Sequence, residues 1–521
     1  MINLHDLLDH WGFTAHPFDA YTAEKETKLT DYFVSPPYLG DILGSPSTAA
    51  PSIVFGARGI GKSALRIAVE NACRTKDQTR LRGSVEAITY DDFPTAHPTN
   101  SELPTLEDHL KTITKKILHS ATHQICTSLD GSIPSHEAIK NRFPQLNQKL
   151  FAKLLTRHIT PAYADHQEPS FQATYTYFKG IATTLLQRLI SIQIAWTKIR
   201  QLIFDVIVFT QALKGKEPPP PLSSIDTITR STQSTHLLAA GDFNLLSQLA
   251  PQLGLDAWYI LIDKVDEDER TNSDAAKSAN LIIPLLKNLK TLETPRISFK
   301  FFLWDQLRPL LTNEDIRLDK IKNWSMTWTD HELQEMINLR LTVFSKGKTT
   351  TLDAICEPDA SRTIYKEVLT HATNAPREIV QILDSIFREH ARHHDTHNSS
   401  LLISRESIER GLDDYCRRRI SDMYPPEVPK QISKLPQAKF TNADIQRTFH
   451  IAQSAASKKI NNWLDNGYIT RTNDARSTKD PSKTVYQYIV SEPRLLRILR
   501  RRLIKPSSFE RESEDESEQH L

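Results

Sequence analysis

The apolar positions change period along the chain. Ser52–Phe55 is a short apolar run that ends in a glycine loop, and helix-spaced residues follow it, so the pattern predicts strand, loop, helix. Val85–Tyr90 predicts a second strand, closed by Asp91 and Asp92. From about Pro94 to Phe243 the pattern turns helical and polar. Leu106, Leu110, Ile113 and Ile117 recur at helical spacing, and a second helical stretch runs from about Phe171 to Leu213. Pro218–Pro221 is a four-proline break, expected to be extended and exposed. Strand pattern returns at Trp258–Ile262 and at Ile297–Leu303. Strands separated by helices predict a parallel α/β sheet, with residues 94–243 as a helical insertion into it.

After Thr327 the pattern is helical again. Thr329 is placed as an N-cap before Leu333, Met336, Ile337 and Leu341, and Asn374–Phe387 predicts a further helix. Tyr424–Pro436 carries four prolines and reads as a linker. Beyond it, Thr441–Phe449 and Ser454–Asp465 predict two short helices, the first capped by Thr441 or Asn442. Gly467 stands where a left-handed cap belongs. Tyr468–Arg471 predicts a strand, Thr472–Lys483 a polar loop, and Val485–Ile489 a returning strand. The expected layout is therefore an N-terminal segment (1–50), an α/β core (51–325) interrupted at about 94–243, and a helical lid (326–423). A linker (424–436), a small C-terminal domain (437–505) and an acidic, disordered tail (506–521) follow. No internal repeat is visible.

Composition narrows this picture only in places. At ~150 residues per domain, 521 residues leave room for about three domains. A net charge of +2 means that any affinity for nucleic acid must come from a local patch. Cys73, Cys126, Cys356 and Cys416 lie far apart with no C-x-x-C pair. That speaks against a disulfide framework or a cysteine zinc site and suits a reducing cytosol. Met1–Trp11 does not read as a signal peptide. Leu202–Phe209, the most apolar stretch, is broken by Asp205 and too short to span a bilayer. A cytoplasmic protein without a membrane partner is expected. His390, His393, His394 and His397 read as a solvated helix end or loop rather than a metal site.

One motif carries definite chemistry. Gly56-Ala57-Arg58-Gly59-Ile60-Gly61-Lys62-Ser63 is G-x-x-x-x-G-K-S, and it stands between a predicted strand and a predicted helix. Phosphates need many donors at close range. Glycines let backbone N–H groups turn inward, and the following helix offers its positive end. Three of the chain's 15 glycines fall between Gly56 and Gly61. The motif predicts a nucleoside triphosphate, most simply Mg-ATP, held by residues 56–63 and Ala64. Lys62 would reach the β- and γ-phosphates and Ser63 would ligate Mg²⁺. Tyr259–Asp263 is a buried-type strand ending in a carboxylate, so Asp263 is placed in the Mg²⁺ shell. Of the next carboxylates, Glu267 is favoured to orient an attacking water, with Asp266 second. The competing reading is a solvated acidic turn, since Asp268 and Glu269 follow.

Gly56–Ser63 combined with Asp263-Lys264-Val265-Asp266-Glu267 resembles the STAND and NACHT signal-transduction ATPases, whose strand ends in D-x-h-D-E. It is also similar to the broader AAA+ class, including the origin-recognition type. AAA+ proteins commonly carry Glu directly after the Mg-binding Asp; Lys264 stands there, which leans toward the STAND side. The resemblance implies that Phe299–Leu303 is the sensor 1 strand, although Trp304 and Asp305 follow it instead of Asn. It implies that Asn374-Ala375-Pro376-Arg377-Glu378 is a sensor 2 element with Arg377 reaching the γ-phosphate. It also implies that Trp11-Gly12-Phe13, Pro17-Phe18 and Tyr32-Phe33-Val34 lie beside the adenine. A nucleotide-dependent homo-oligomer is implied too, with Arg308 and Arg340 as candidates by position for an arginine acting across copies.

The order helix, turn, helix, two-stranded wing in 437–492 resembles a winged helix domain. Such a domain sets its second helix in the major groove of duplex DNA and its wing on the backbone. Lys458, Lys459 and Asn462, with Ser454, Ser457 and Asn461, would then face the groove. Arg471, Arg476, Lys479 and Lys483 would line the wing. Residues 434–505 hold 15 Lys+Arg against 5 Asp+Glu, and Arg494, Arg497, Arg500, Arg501 and Arg502 read as a basic helix. Three functions fit: an ATP-driven switch that binds DNA, a STAND-type signalling or defence ATPase whose insertion senses a protein partner, and a nucleotide-binding adaptor without hydrolysis.

Overall fold

The computed structural model describes residues 3–74, 81, 83–94, 103–128, 136–158, 239–393, 400–472, 475–476 and 484–504. The expected helical stretch at 171–213, the four-proline break, His394, His397, Lys479, Lys483 and the acidic tail lie outside the described residues. The chain divides into two compact units. One comprises Met1–Val34, Gly59–Gly61 and Trp328–Leu521; the other comprises Ser35–Arg58 and Lys62–Thr327.

The second of these holds a five-stranded parallel sheet. Its strands are β1 (Ser52–Gly56), β2 (Val85–Tyr90), β3 (Ala257–Ile262), β4 (Ile297–Trp304) and β5 (Lys322–Ser325), in the order β2-β3-β4-β1-β5. All pairs are parallel, with Ile53 opposite Phe301 and Ile260 opposite Phe299. Every residue of β1 and β3 is buried, as expected of a parallel sheet covered on both faces. Helix Leu106–Thr127 starts at a capping box in which the Thr105 N–H and hydroxyl donate to Asp108 at 2.9 and 2.7 Å. Its Leu110, Ile113 and Ile117 share one core with Phe243 and Leu246 of Ala239–Gln252 and with Trp258 and Ile260 of β3. The described ends of the expected insertion are therefore part of the sheet's own core. Strand β5 had no apolar pattern to reveal it: Lys322-Asn323-Trp324-Ser325 is a polar edge strand paired with β1.

The other unit is built on helices Asp330–Phe344, Pro358–Ala372, Pro376–His393 and Arg405–Met423. Thr329 caps the first, as expected, donating its N–H to Glu332 at 2.8 Å. Gly411 is required where two of these helices meet, because a Cβ there would lie 2.5 Å from the Ile386 Cα. The N-terminal helix Leu4–His10 and the residues after it join the same core. Trp11 and Phe18 set their rings 5.1 and 5.4 Å from Phe387. His390, expected at a solvated end, is buried. It stacks on Trp11 at 5.8 Å and bonds to the Ser407 hydroxyl at 2.9 Å, so it belongs to the packing.

The stretch expected as a linker contains helix Glu427–Ser433, with Val428 and Ile432 buried. Its prolines do not prevent this: Pro425 and Pro426 precede the helix and Pro429 lies in its first turn, where no N–H bond is lost. After it come β6 (Lys439–Thr441), helices Asn442–Phe449 and Gln453–Asp465, β7 (Ile469–Arg471), β8 (Ala475–Arg476), β9 (Thr484–Val485), β10 (Gln487–Val490) and helix Pro493–Arg501. β6, β10 and β7 form an antiparallel sheet in that order, and β8 pairs with β9. Gly467 takes φ +72°, the left-handed cap expected of it. Phe440, Ile445, Ile460, Trp463, Val490, Leu495 and Ile498 form the core. Among the described residues no helix is long and apolar enough to cross a membrane.

Candidate functional site

The glycine loop leaves β1, an interior strand of the sheet, and runs into helix Lys62–Arg74. Gly59 and Gly61 take φ values of +77° and +105°, which only glycine adopts without strain. The Lys62 ammonium turns back onto the loop and donates to the Gly56 and Ala57 carbonyls at 2.9 and 3.0 Å. Burial lowers the Lys62 pKa. The carboxylates of Asp266, Asp263, Asp305 and Glu267 act the other way, which places four acids around one lysine.

Asp263 ends β3 and is 2% exposed. The Lys264 N–H donates to its Oδ1 at 2.9 Å, and the Arg66 guanidinium donates through Nε to its Oδ2 at 3.2 Å. The Ser63 hydroxyl stands close enough to pull the Asp263 pKa down. Burial raises the Asp263 pKa against the opposing pull of Arg66, Ser63, the Lys264 N–H and Lys62. Ser63 and Asp263, both expected as Mg²⁺ ligands, thus lie near each other, and a hydroxyl with a carboxylate is a donor set suited to Mg²⁺. Arg66 is the partner that sequence reasoning missed. It is buried and also donates to Glu70 at 3.0 Å and Thr89 at 3.2 Å. The available signal was its place on the first turns of the helix after Ser63, four residues before Glu70.

Lys264 adopts the left-handed conformation, φ +60°, and turns the chain out of β3 into the short helix Val265–Glu267. Asp266 is buried and accepts from the Arg58 Nε at 2.8 Å, and the Arg58 guanidinium lies 4.1 Å over the Trp304 ring. Glu267 is exposed. Asp268 is paired with Arg270, whose guanidinium also donates to the Pro94 carbonyl at 2.7 Å. Two of the four acids in this turn are therefore fixed by arginines, which a merely solvated turn would not need. The residue after the sensor 1 strand, Asp305, is exposed and donates its N–H to the Gly56 carbonyl at 3.2 Å.

In the helical unit, Arg377 donates its backbone N–H to the Gly59 carbonyl at 3.3 Å, and Trp328 donates through Nε1 to the Ile60 carbonyl at 2.7 Å. The Arg377 side chain is half-buried, and among the described residues its guanidinium has no hydrogen-bond or ion-pair partner. Trp11, Phe13, Phe18 and Tyr32 are core residues, and of that aromatic set only Phe33, with Val34 beside it, is half-exposed. Arg340 is not free to act across copies. It is 3% exposed and bonded to the Pro17 carbonyl, Glu26 and the Tyr32 hydroxyl. Arg308 is exposed and donates to Ser325 at 3.0 Å and Asn323 at 3.2 Å.

In the C-terminal module Lys458, Asn461 and Asn462 are exposed on helix Gln453–Asp465. Lys459 is not: its ammonium donates to Gln431 at 2.7 Å and sits over the Phe449 and Trp463 rings. Arg471 is exposed and stacks 3.5 Å over Tyr486. The backbone of Arg476 lies in β8, and Lys483 lies outside the described residues. The expected basic helix is mostly spent inward. Arg494 and Arg497 are buried, paired with Glu492 and with Asp413 and Glu409. Arg501 is paired with Asp413, and Arg502 donates to the Ser433 and Leu435 carbonyls; Arg500 is exposed. The stripe of arginines on one short helix looked solvated because most of the acids that cover it, Asp413 and Glu409, come from helix Arg405–Met423.

The five-stranded parallel sheet with flanking helices fits the α/β P-loop core expected for the chain. No family model matches the sequence, and no curated protein matches it. Among solved structures it is similar to the Aeropyrum pernix ORC2 protein. The form with ADPNP and ADP matches at 10% identity and a TM-score of 0.39, and the ADP form at 11% and 0.34. Each covers 92% of this chain and 98% of the other. Likeness of that degree fixes neither ligand nor activity.

Proposed function

We propose that the chain is an ATP-binding switch of the AAA+ or STAND kind, whose nucleotide state governs self-assembly and the grip of a C-terminal winged helix on duplex DNA. The observation that carries this reading is the glycine loop, with Gly59 and Gly61 at positive φ, running from β1 into helix Lys62–Arg74 in a sheet whose β3 ends at the buried carboxylate of Asp263. When bound, Mg-ATP supplies the phosphoanhydride to be broken. Gly56–Ala64 wrap its phosphates, and Lys62 exchanges the Gly56 and Ala57 carbonyls for phosphate oxygens. Ser63 and Asp263 would hold Mg²⁺, which would supply positive charge to the phosphates. Glu267 orients the attacking water, since Asp266 is engaged by Arg58. Arg377, whose guanidinium has no hydrogen-bond or ion-pair partner among the described residues, is the candidate phosphate-sensing arginine.

Titration with a fluorescent ATP analogue and a phosphate-release assay test this. Lys62→Ala should weaken binding at least ~100-fold, and Glu267→Gln should keep binding while lowering turnover ~100-fold. Normal turnover in the Glu267→Gln protein would remove the assignment of that residue.

A second reading has its own support. The inward pairing of Arg494, Arg497 and Arg501 removes cations from the C-terminal module, as a winged helix that contacts protein would allow. On that reading the chain is a signalling or defence ATPase that senses a protein partner. Binding of a 20-bp duplex, or its absence, separates the two.

A further inference from the structure

Glu378 follows Arg377 in the first turn of helix Pro376–His393 and is 4% exposed. Its carboxylate is held from two other helices. Within Arg405–Met423, Tyr415 donates its hydroxyl and Arg419 donates through Nη2 to Oε1 at 2.7 Å and Nε to Oε2 at 2.9 Å. From helix Pro493–Arg501, Arg494 brings its Nη1 to 3.8 Å from Oε2.

Arg494 is itself 4% exposed. Its Nε donates to Glu492 at 2.6 Å, but its Nη1 is buried with no hydrogen-bond partner among the described residues. A buried charged donor without an acceptor is unfavourable. The Glu378 Oε2 stands roughly 1 Å beyond charge-assisted hydrogen-bond distance from it. Arg494 is not a loose side chain that could close this gap alone. Arg497 and Arg501 tie the same helix to Asp413 at 2.7 and 3.1 Å, so a change at Arg494 is a change in the seating of the whole helix.

We propose that Glu378 and Arg494 are positioning residues for Arg377, through which the last helix of the C-terminal module sets the helix start that carries the phosphate-sensing arginine. The inference rests on the ATP-switch reading and adds a route by which the C-terminal module acts on the nucleotide. Two anchors hold Glu378 firmly and the third is incomplete. Closing the Arg494 contact would pull the first turn of Pro376–His393 toward Pro493–Arg501, and Arg377, one residue earlier, would move with it.

The test uses the full chain. Wild type, Arg494→Met, Arg494→Lys and Glu378→Gln are compared for turnover, KM for ATP and melting temperature, each with and without a 20-bp duplex. Arg494→Met and Glu378→Gln should lower kcat about tenfold while KM stays within about twofold, since the contact to Arg377 acts on the γ-phosphate and not on binding at large. Arg494→Lys, which keeps the charge, should recover turnover to within about threefold of wild type. Any effect of duplex on wild-type turnover should be absent in Arg494→Met. Should a Met or Gln variant fail to fold, the Lys variant carries the test, with reduced turnover at an unchanged melting temperature expected to persist in part. Unchanged kcat in folded variants, or kcat that falls only in step with melting temperature, overturns the inference and leaves the ATP reading intact. If wild type and Lys62→Ala bind ATP equally, the ATP reading itself is wrong and the inference goes with it.

Discussion

The salt dependence of DNA binding separates the surface cations from the buried ones. Residues 434–505 contain 15 Lys+Arg, of which Lys459, Arg494 and Arg497 are engaged inside the protein, while the exposed Arg501 and Arg502 are tied to Asp413 and to the Ser433 and Leu435 carbonyls. The proposed DNA face retains Lys458, Arg471, Arg476, Lys479 and Lys483. At about 0.9 counterions released per phosphate neutralised, five contacts give a slope of log K against log salt of about −4.5. Adding the four engaged arginines of the last helix would steepen it to about −8. Between 50 and 200 mM salt the first case loses affinity about 500-fold and the second nearly 10⁵-fold. Fluorescence anisotropy on a labelled 20-bp duplex reads this directly. Lys458→Ala and Arg471→Ala should each flatten the slope by about 0.9, whereas Arg497→Met should leave the slope alone and lower the melting temperature. A wild-type slope steeper than about −7, or an Arg497→Met slope flattened as much as that of Lys458→Ala, would refute the division into surface and buried cations.

Other substitutions probe the core around the site. Lys300 lies buried in β4, donating to the Ala50 carbonyl at 3.0 Å, and burial lowers its pKa from 10.5 to about 7. Between those values the unfolded chain holds a proton that the folded chain does not, so stability rises with pH across the window. Lys300→Met should therefore stabilise by up to ~5 kcal/mol below pH 7, a gain that shrinks to nothing above pH ~10.5; urea denaturation that shows an equal gain at pH 6 and pH 10 would contradict this. Ala50 keeps the Ser298 hydroxyl at 2.7 Å as a donor in that variant. Gly411→Ala forces its Cβ against the Ile386 backbone and should cost about 1–3 kcal/mol by denaturant midpoint, whereas a neutral outcome would mean that the two helices can part. Arg340→Ala leaves Glu26 buried without its partner and should destabilise by about 3–5 kcal/mol without altering any assembly-dependent hydrolysis, which Arg308→Ala should lower.

The readable features were those whose geometry requires a residue type. Gly59 and Gly61 stand at positive φ, β3 is buried on both faces and ends in Asp263, and Gly467 closes a helix in the left-handed region. Each requirement is local, so a few neighbouring residues carry it. Strand β5 and helix Glu427–Ser433 were not readable for the same reason reversed. One is a polar edge whose pairing is supplied by β1, and the other is a short helix whose prolines fall where they do no harm.

The charged residues divide in the same way. Lys62 and Ser63 are legible because the loop fixes their use, whereas Arg66, Arg340 and Arg497 depend on acids far off in the chain. Arg497 and Asp413 are 84 residues apart, and Arg66 and Asp263 are 197 apart. No spacing along the chain announces such a pair, and an arginine met without its partner is read as solvated because most are. A count of local charge therefore overstates the cations free to meet a phosphate backbone, by the number that packing has neutralised. The same pairing that removes Arg494 from a DNA surface places it beside Glu378. What the basic helix loses as a contact for nucleic acid it gains as a link to the helix that bears Arg377.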